Sequence, residues 1–192
     1  EENALHLDIP ALAERFGRRL VIVGNLPYQI ASPLIFHFLA SRASVRRIVI
    51  MLQCEMADRL LAAPGSRESN ALGVQVQMVC AVRRVCQVGR GAFLPPPRVD
   101  SSVVLLDPLP TTFAPLRDLA MFHQVVRAAF GQRRKTLRNA LGAAFPDDAI
   151  ASLGGCGIDL SRRGESLRLP EFAVLSDALS LHREQTSRSP QP

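Results

Sequence analysis

The sequence predicts an α/β fold followed by a small all-helical region, and three observations support this prediction. Short β-rich runs alternate with helical ones between Leu20 and Asp107, which is the pattern of an α/β sheet. A proline- and threonine-rich stretch at residues 107–116 marks a junction between two regions. After this junction the apolar spacing is helical, and no convincing strand follows.

The elements of the first region follow from its apolar runs. We expect strands at residues 20–23, 48–52, 79–88 and 103–106, where β-branched residues are concentrated. Ser32 is expected to cap a helix that has Pro33 at its first position. Residues 55–61 predict another short helix.

The second region contains four segments with helical length and spacing, at residues 116–130, 133–144, 147–153 and 170–183. The glycines at residues 154–157 are expected to end a helix, because no apolar strand leads into them as it does in a nucleotide-binding loop. The polar residues 186–192 are expected to be disordered.

Composition limits the classes of function. A chain of 192 residues with 47% hydrophobic residues can build a substantial core and a second small domain. The 23 basic and 17 acidic side chains give a net charge of +6. The sequence pI of about 10.1 therefore indicates an acidic partner, nucleic acid more often than membrane.

Membrane, metal and disulfide classes receive no support from the sequence. The apolar runs end well short of a membrane span, and the amino end lacks a signal pattern, so we expect a cytoplasmic protein. The four cysteines form no CxxC pair and the four histidines are scattered. We therefore expect neither a metal site nor a disulfide framework.

The tetrapeptide Asn25-Leu26-Pro27-Tyr28 follows the first predicted strand, and ligands bind at the carboxyl edge of open α/β sheets. The Asn25 side-chain oxygen and a nearby backbone carbonyl can accept both hydrogens of a substrate amino group. Pro27 stiffens the turn, and Tyr28 offers a ring on which a planar base can stack. The alternative is an ordinary turn, with Asn25 bonded to its own backbone and Tyr28 in the core.

Two further stretches favour the chemical interpretation. In "GAFLPPPRVDSSVVLL", three prolines follow Phe93 and can hold its ring in a fixed place. In "FGQRRKTLRNAL", four cations fall within about two helical turns, and Arg134 and Arg138 share a face that suits a phosphate backbone. The candidate RNA-binding residues are Arg98, Arg133, Arg134, Lys135 and Arg138. The alternative for each is a solvated surface charge.

These stretches, together with "GNLPYQIASPLIFHF" and "MLQCEMADRL", make the chain similar to the dimethyladenosine transferases of small-subunit ribosomal RNA, the KsgA type. The resemblance extends over residues 5–181. It implies a Rossmann-like class I methyltransferase domain at residues 1–109, a helical domain that binds RNA or the ribosome at residues 110–185, and a tail at residues 186–192.

The resemblance also implies a reaction and its participants. S-adenosylmethionine is the methyl donor, and the products are two adjacent N6,N6-dimethyladenosines in a hairpin loop near the 3′ end of the RNA. Asn25 and the Leu26 carbonyl hold the target amine, Pro27 shapes the turn, and Tyr28 and Phe93 hold the flipped base. The implied partner is the small ribosomal subunit, recognised by a monomer.

The front of the family pattern is missing. The glycine-rich loop and the acidic residue expected after the first two family strands do not appear, so the chain resembles a fragment that begins inside the catalytic domain. Asn3 then takes the place of an aspartate that faces the adenine of S-adenosylmethionine, and Asn25 approaches its reactive end. We expect an exposed sheet edge and weak cofactor binding by these residues alone.

Two other functions remain compatible with the sequence. One is an adenine methyltransferase that acts on another nucleic acid, such as DNA or large-subunit ribosomal RNA. The other is an RNA-binding ribosome-assembly factor that keeps the fold without catalysis.

Overall fold

The computed structural model describes residues 3–188 of the chain. Its strands are β1 (Leu20–Asn25), β2 (Val45–Gln53), β3 (Cys80–Val88) and β4 (Ser101–Pro108). Its α-helices are α1 (Ile9–Arg15), α2 (Ala31–Ala40), α3 (Cys54–Leu61), α4 (Ala71–Gln77), α5 (Leu119–Gly131), α6 (Leu137–Gly142), α7 (Asp147–Ser152) and α8 (Leu169–Arg188). All four predicted strands are present. Three of the predicted ranges lie inside the observed strands, and the fourth, residues 79–88, begins one residue before β3.

The strands form one mixed sheet in the order β1-β2-β4-β3. Strands β1 and β2 are parallel, whereas β4 runs antiparallel to both of its neighbours. Because β1 and β2 are parallel, their carboxyl-terminal ends lie side by side, with Asn25 opposite Met51. Within the described residues, β1 pairs with β2 only and so forms one edge of the sheet.

The alternation of strand β2 directs its apolar side chains to one face. Ile48, Ile50 and Leu52 are at most 2% exposed, and both α2 and α3 contact this strand. Helix α2 contributes Leu34 and Ile35, which are equally buried. Because buried apolar area contributes about 25 cal/mol per Å², this layer stabilises the sheet.

The chain divides into two compact units. One contains the sheet and consists of the described residues up to Leu61 together with Val79–Thr111; the other consists of Ala62–Met78 and the described residues from Thr112 onward. Residues 62–78, which the sequence analysis placed in the first domain, therefore group with the helices. Helix α4 packs against α5, and His123 Nδ1 lies 2.6 Å from Gln75 Oε1.

The core of the helical unit is built around aromatic rings. Phe122 and Phe172 are fully buried, with ring centroids 6.5 Å apart in an edge-to-face arrangement, which is a preferred geometry for aromatic pairs. Gly164 lies so close to α5 that a Cβ atom there would be 2.7 Å from the Ala129 carbonyl oxygen. A side chain at position 164 is therefore excluded.

Several predicted helix boundaries are wrong. Helix α2 begins at Ala31 after a 3₁₀ turn at Tyr28–Ile30, so Ser32 lies inside the helix and does not cap it. Helices α1 and α4 were not predicted. Asp8 and Asn70 cap them through side chains that accept from Ala11 N and Gly73 N, and both helices have only seven residues, too few for a clear apolar period.

The predicted helix at residues 133–144 is also wrong in its first turn. Helix α5 ends at Gly131, and Thr136 caps α6, which begins at Leu137. The first amides of α6 are held by another segment, since Leu137 N donates to Arg162 O at 2.7 Å. Arg133, Arg134 and Lys135 thus lie on a turn, and the expected shared helical face of Arg134 and Arg138 does not form.

The end of the chain is more helical than predicted. Helix α8 continues to Arg188, so residues 186–188 are not disordered. The Thr186 hydroxyl donates to the His182 carbonyl at 3.0 Å and thereby satisfies an acceptor in the last turns. Residues 189–192 of the predicted tail lie outside the described residues.

Candidate functional site

The Asn25 turn is built by the end of strand β1. Leu26 N donates to Met51 O at 3.1 Å, which extends the parallel ladder one residue beyond Asn25. Pro27 has no N–H group and so ends the ladder. Its carbonyl then accepts from Ile30 N at 3.1 Å, closing the short 3₁₀ turn that carries Tyr28. The turn thus fixes the Leu26 backbone beside the end of β2.

The second segment of the site is the loop between strands β3 and β4. Asp100 holds this loop at two points: its Oδ1 accepts from Arg90 N at 2.9 Å, and its backbone carbonyl accepts from Cys54 N at 3.0 Å. A 3₁₀ turn at Arg90–Ala92 leads to the half-buried Phe93. The Phe93 position is therefore fixed by contacts on both sides of the loop.

These two segments meet at a cavity of about 250 Å³. Its lining residues come from β1, β2, the Asn25 turn and the Phe93 loop: Asn25, Leu26, Tyr28, Met51, Leu52, Gln53, Phe93, Pro95, Pro97, Val99 and Ser101. The structure thus brings together four of the five residues that the sequence analysis assigned to the reacting centre. The fifth, Pro27, shapes the turn without lining the cavity.

The cavity combines aromatic and proline side chains with few polar groups. Tyr28 exposes 48% of its surface, so the alternative in which it packs in the core is wrong. Among the described residues that line the cavity, none is a histidine, a lysine or a carboxylate. The arrangement can hold a flat apolar ring and present amide and carbonyl oxygens at its rim, but it provides no strong base.

Sequence analysis missed Gln53 and Ser101, which also line the cavity. They lie opposite each other at the ends of β2 and β4. The signal for Gln53 was present, because Gln53 ends β2 as Asn25 ends β1, and the carboxyl ends of parallel strands lie side by side. Ser101 required knowledge of the antiparallel register. Gln53 is exposed and adds a second carboxamide to the rim.

Two other predicted site residues lie outside the cavity lining. Asn3 is exposed and caps the 3₁₀ turn Ala4–His6, where its Oδ1 accepts from Leu5 N at 3.1 Å. Arg98 is exposed and lies between Pro97 and Val99, which do line the cavity. Arg98 is therefore placed near the cavity by its neighbours in the chain, whereas the Asn3 side chain is engaged in a local cap.

The remaining basic candidates lie in the helical unit. Arg133, Arg134 and Lys135 are exposed on the turn between α5 and α6, and Arg133 Nη2 reaches the Ser69 carbonyl at 3.5 Å. Arg138 is exposed on the first turn of α6 and lines a separate open cavity of about 530 Å³ with Asn139. The four cations thus remain close in sequence, although they do not share one helix.

The described residues form neither a membrane-spanning helix nor a metal-binding cluster. No helix among them is both long and apolar enough to cross a bilayer. In the same part of the chain, no group of three or more histidine, cysteine, aspartate or glutamate side chains is placed to hold a metal ion.

The family model described as "Ribosomal RNA adenine dimethylase" matches residues 1–178. The chain belongs to this family. Among curated members of the dimethylase family, "Ribosomal RNA small subunit methyltransferase A" of Pseudomonas savastanoi is 44% identical over 178 residues, which are 93% of this chain and 65% of the relative. The protein of the same name from Anaeromyxobacter dehalogenans is 45% identical over 190 residues, covering 93% and 66%. The chain thus spans about two thirds of the length of these relatives.

Solved structures agree with the dimethylase assignment. A dimethyladenosine transferase from Plasmodium falciparum matches with a TM-score of 0.70 and 28% identity, covering 86% of this chain and 68% of the other. The 23S ribosomal RNA methyltransferase ErmE matches with a TM-score of 0.61 and 21% identity, covering 85% and 66%, and supports the fold alone. The α/β, Rossmann-like methyltransferase class predicted from the sequence is confirmed.

Proposed function

We propose that this chain is the substrate-facing part of an S-adenosylmethionine-dependent dimethyltransferase that modifies two adjacent adenosines in a hairpin loop of small-subunit ribosomal RNA. The observation that carries the proposal is the single cavity lined by Asn25, Leu26, Tyr28 and Phe93. These residues come from distant parts of the sequence and together match the chemistry of a flipped adenine. Family membership supports the choice of an RNA adenine as the target.

The aromatic residues receive the base. A nucleobase out of its helix can lie against the rings of Tyr28 and Phe93, and each such stacking contact is worth about 1–3 kcal/mol. The cavity of about 250 Å³ is somewhat smaller than a usual ligand pocket of about 300–1,000 Å³, and so suits a single base better than a whole nucleoside cofactor.

Asn25 and Leu26 orient the reacting amine. Before the first transfer, the Asn25 Oδ1 and the Leu26 carbonyl accept the two hydrogens of the exocyclic amine, which directs the nitrogen lone pair away from both acceptors. S-adenosylmethionine supplies an electrophilic methyl group when bound. Since the described lining residues contain no strong base, they would leave the amine lone pair free to take the methyl group as its bond to the donor sulfur breaks, and the proton released by the amine would pass to solvent. Positioning is the chain's main contribution to the rate.

The fit to the cofactor is partial. Asn25 lies at the cavity and can contact the donor end, whereas the Asn3 side chain caps its own turn and does not line the cavity. If Asn3 contacts the adenine of the cofactor, as the resemblance implies, its Oδ1 must leave Leu5 N or accept a second hydrogen bond. The residues of this chain therefore supply the base side of the site more completely than the donor side.

The basic residues contact the RNA backbone in this proposal. Arg98 follows the cavity-lining Pro97, and Arg133, Arg134, Lys135 and Arg138 are exposed cations of the helical unit. Arginine and lysine position nucleic acid through its phosphates. We propose the assembled small subunit as the partner, with the protein acting as a monomer in the cytoplasm.

The experiment is transfer of labelled methyl groups from S-adenosylmethionine to undermethylated small ribosomal subunits. It compares the 192-residue chain with a version that carries the amino-terminal glycine-rich segment of a relative. In the extended protein, Asn25→Ala should lower transfer at least 100-fold while subunit binding is retained, because the amine loses one of its two acceptors. Gln87→Ala, a change at an exposed amide of β3, is the matched control.

The outcomes separate the candidate functions. Transfer that depends on Asn25 supports the enzyme. If the extended protein binds subunits but transfers nothing, the noncatalytic assembly factor replaces the proposal. Transfer to DNA or large-subunit RNA in preference to the small subunit would instead change the substrate.

The phosphate role of the basic turn is tested separately. Replacing Arg134 and Arg138 by alanine should weaken RNA binding and make the dependence of log K on log salt shallower by about 1–2 units. An unchanged slope would show that both residues are solvated surface charges that do not contact the RNA.

A further inference from the structure

Arginine side chains are concentrated near the amino-terminal ends of strands β1 and β2, whereas the candidate site lies at the carboxyl-terminal ends of these strands. Strands β1 and β2 begin side by side, with Leu20 paired to Val45. Helix α1 contacts the 3₁₀ turn Arg42–Ser44 that precedes β2. The arginines and the phenylalanine that lie near these strand starts in the sequence are Arg15, Phe16, Arg18, Arg19, Arg42 and Arg46, and we call this group the arginine surface.

Backbone contacts organise the centre of the arginine surface. Arg19 Nη2 donates to the Val45 carbonyl at 2.6 Å and lies 3.4 Å from the Arg42 carbonyl. Arg19 and Arg42 also line an open cavity of about 420 Å³, together with Leu109 and Pro110. The Arg19 guanidinium is therefore held in place before any ligand arrives, which reduces the entropy lost on binding.

An exposed aromatic ring lies beside Arg15. Phe16 exposes 58% of its surface, and the guanidinium carbon of Arg15 lies 5.9 Å from the centre of its ring. Gly17, with φ of +62°, ends helix α1 directly after Phe16. An exposed phenylalanine beside an arginine provides a stacking surface with adjacent positive charge, which is the combination used to bind unpaired nucleotides.

Most of the charge on the arginine surface is not neutralised. Arg47, which follows Arg46, forms an ion pair with Asp107. For Arg15, Arg18, Arg42 and Arg46, no carboxylate of the described residues lies within ion-pair distance. Asp8 and Glu14 are the acidic side chains of the α1 segment, so arginines outnumber acids here. The surface therefore has a net positive field.

We propose that the arginine surface is a second RNA-binding surface, which contacts the ribosomal RNA away from the base that is modified. The choice of RNA rests on the proposed function. Strand β1 separates Leu20 from Asn25 by about 16 Å, or about five base-pair steps of a duplex. A structured RNA that extends beyond the target loop can therefore contact the arginine surface at one end of β1 and the candidate site at the other.

The composition favours RNA over an anionic membrane. The chain has 22 arginines and one lysine. Arginine binds phosphate in a two-pronged geometry and stacks on bases, whereas membrane-surface attraction depends on charge and is served equally by lysine. Phe16 is also a single exposed ring on a helix of seven residues, which is less than the broad apolar face of an interfacial helix.

The experiment measures binding of the 192-residue chain to undermethylated small ribosomal subunits over a range of salt concentrations. The test variant carries Arg15→Gln, Arg18→Gln and Arg46→Gln, all at exposed positions. The control variant carries Arg67→Gln, Arg127→Gln and Arg163→Gln, which remove the same charge from exposed positions elsewhere. The loss of three phosphate contacts should make the test variant's salt slope shallower by about 2–3, and the control should keep the wild-type slope.

A second variant tests the stacking contact by a different readout. Phe16→Ala should lower affinity about 5-fold or more without changing the salt slope, because stacking releases no counterions. Equal slopes for the test and control triple variants would overturn the proposal. The proposal would also be overturned if the test variant lost binding to phosphatidylserine vesicles while its RNA binding was unchanged. That result would assign the surface to a membrane.

Failure of the proposed function would be distinguishable from failure of this inference. Repeating the salt series in the Asn25→Ala background separates binding from methyl transfer. If transfer never occurs but the Arg15, Arg18 and Arg46 changes still alter the slope, the arginine surface stands and the enzyme proposal falls.

Discussion

At the residue scale, the candidate site depends on where two rings and two oxygen acceptors are fixed. Asn25 and Leu26 are placed by the last hydrogen bonds of a parallel ladder, and Phe93 is placed by a loop that Asp100 holds at both ends. Hydrogen bonds in the backbone thus determine the geometry, while the side chains determine the chemistry. In the proposed enzyme, this arrangement would orient an amine without a catalytic base.

Substitutions at Tyr28 distinguish its ring from its hydroxyl. In the proposed enzyme, Tyr28→Phe should keep most of the methyl transfer, because the stacking surface is retained. Tyr28→Ala should lower kcat/KM by about 10- to 100-fold, which corresponds to one lost stacking contact. Steady-state transfer to small subunits measures both values. Equal losses in the two variants would show that the hydroxyl group, and not the ring, is required.

The buried thiol of Cys80 should be unreactive. Burial, followed by the charge of Asp107, raises the pKa of Cys80 to about 12. At pH 8 the thiolate is therefore present at about one part in ten thousand, and the thiolate is the reactive form. Iodoacetamide at pH 8 should modify the exposed Cys86 first, as followed by peptide mass spectrometry. Cys86→Ser should remove this early product, and labelling of folded Cys80 at the rate of Cys86 would contradict the prediction.

At the element scale, the sequence predicted the strands better than the short helices. Strand apolarity is local, and β1 exceeds its predicted end only because Leu26 still bonds to Met51. The turn at Arg133, Arg134 and Lys135 was predicted as part of a helix because residues 133–144 have helical length and spacing. The contact that prevents this helix, the Arg162 carbonyl on Leu137 N, lies far along the chain and has no local signal.

The candidate site could also be predicted only where its residues have a local sequence signal. Asn25, Tyr28 and Phe93 could be predicted because each belongs to an unusual local sequence with proline nearby. Their meeting in one cavity could be expected only through the family resemblance. Ser101 was missed because its place depends on its pairing with Gln53 across two strands, and pairing of this kind leaves no pattern within either segment.

The start of helix α8 should be sensitive to acid. The hydrogen bond from Arg162, assisted by the Arg168 amide at 2.7 Å and opposed by burial, lowers the pKa of Glu171 below its usual 4.5. The folded state therefore gains stability from the Glu171 charge above pH 4.5. This contribution is lost as the pH falls from 4.5 through the lower pKa of the folded state.

Thermal unfolding of the Glu171→Gln variant tests this prediction. At pH 7 the variant should lose about 1–2 kcal/mol, because a partly exposed, charge-assisted pair is replaced by a weaker one. The difference from wild type should shrink as the pH falls below 4.5. Glu68→Gln changes an exposed carboxylate of the same unit and is the control. A difference that stays constant down to pH 2 would show that the Glu171 charge does not contribute.

At the scale of the whole molecule, the two units differ in what they provide. The sheet unit carries the cavity and the arginine surface, and the helical unit carries the basic turn and Arg138. The sheet unit also has exposed valines on its edge strand β1, where Val21 and Val23 expose 53% and 74% of their surfaces. An apolar edge strand of this kind is open to further contacts.

The 192-residue chain alone should bind S-adenosylmethionine weakly or not at all. Asn25 is the single residue common to the cavity lining and the predicted donor contacts, and the Asn3 side chain is engaged with Leu5. One or two polar contacts cannot offset the entropy lost by a flexible nucleoside cofactor on binding. Isothermal titration calorimetry should therefore detect no saturable heat at micromolar concentrations, whereas a protein extended at its amino end should bind with a stoichiometry of about one. Tight binding by the 192-residue chain, abolished by Asn3→Ala, would contradict this prediction and show that these residues already hold the donor.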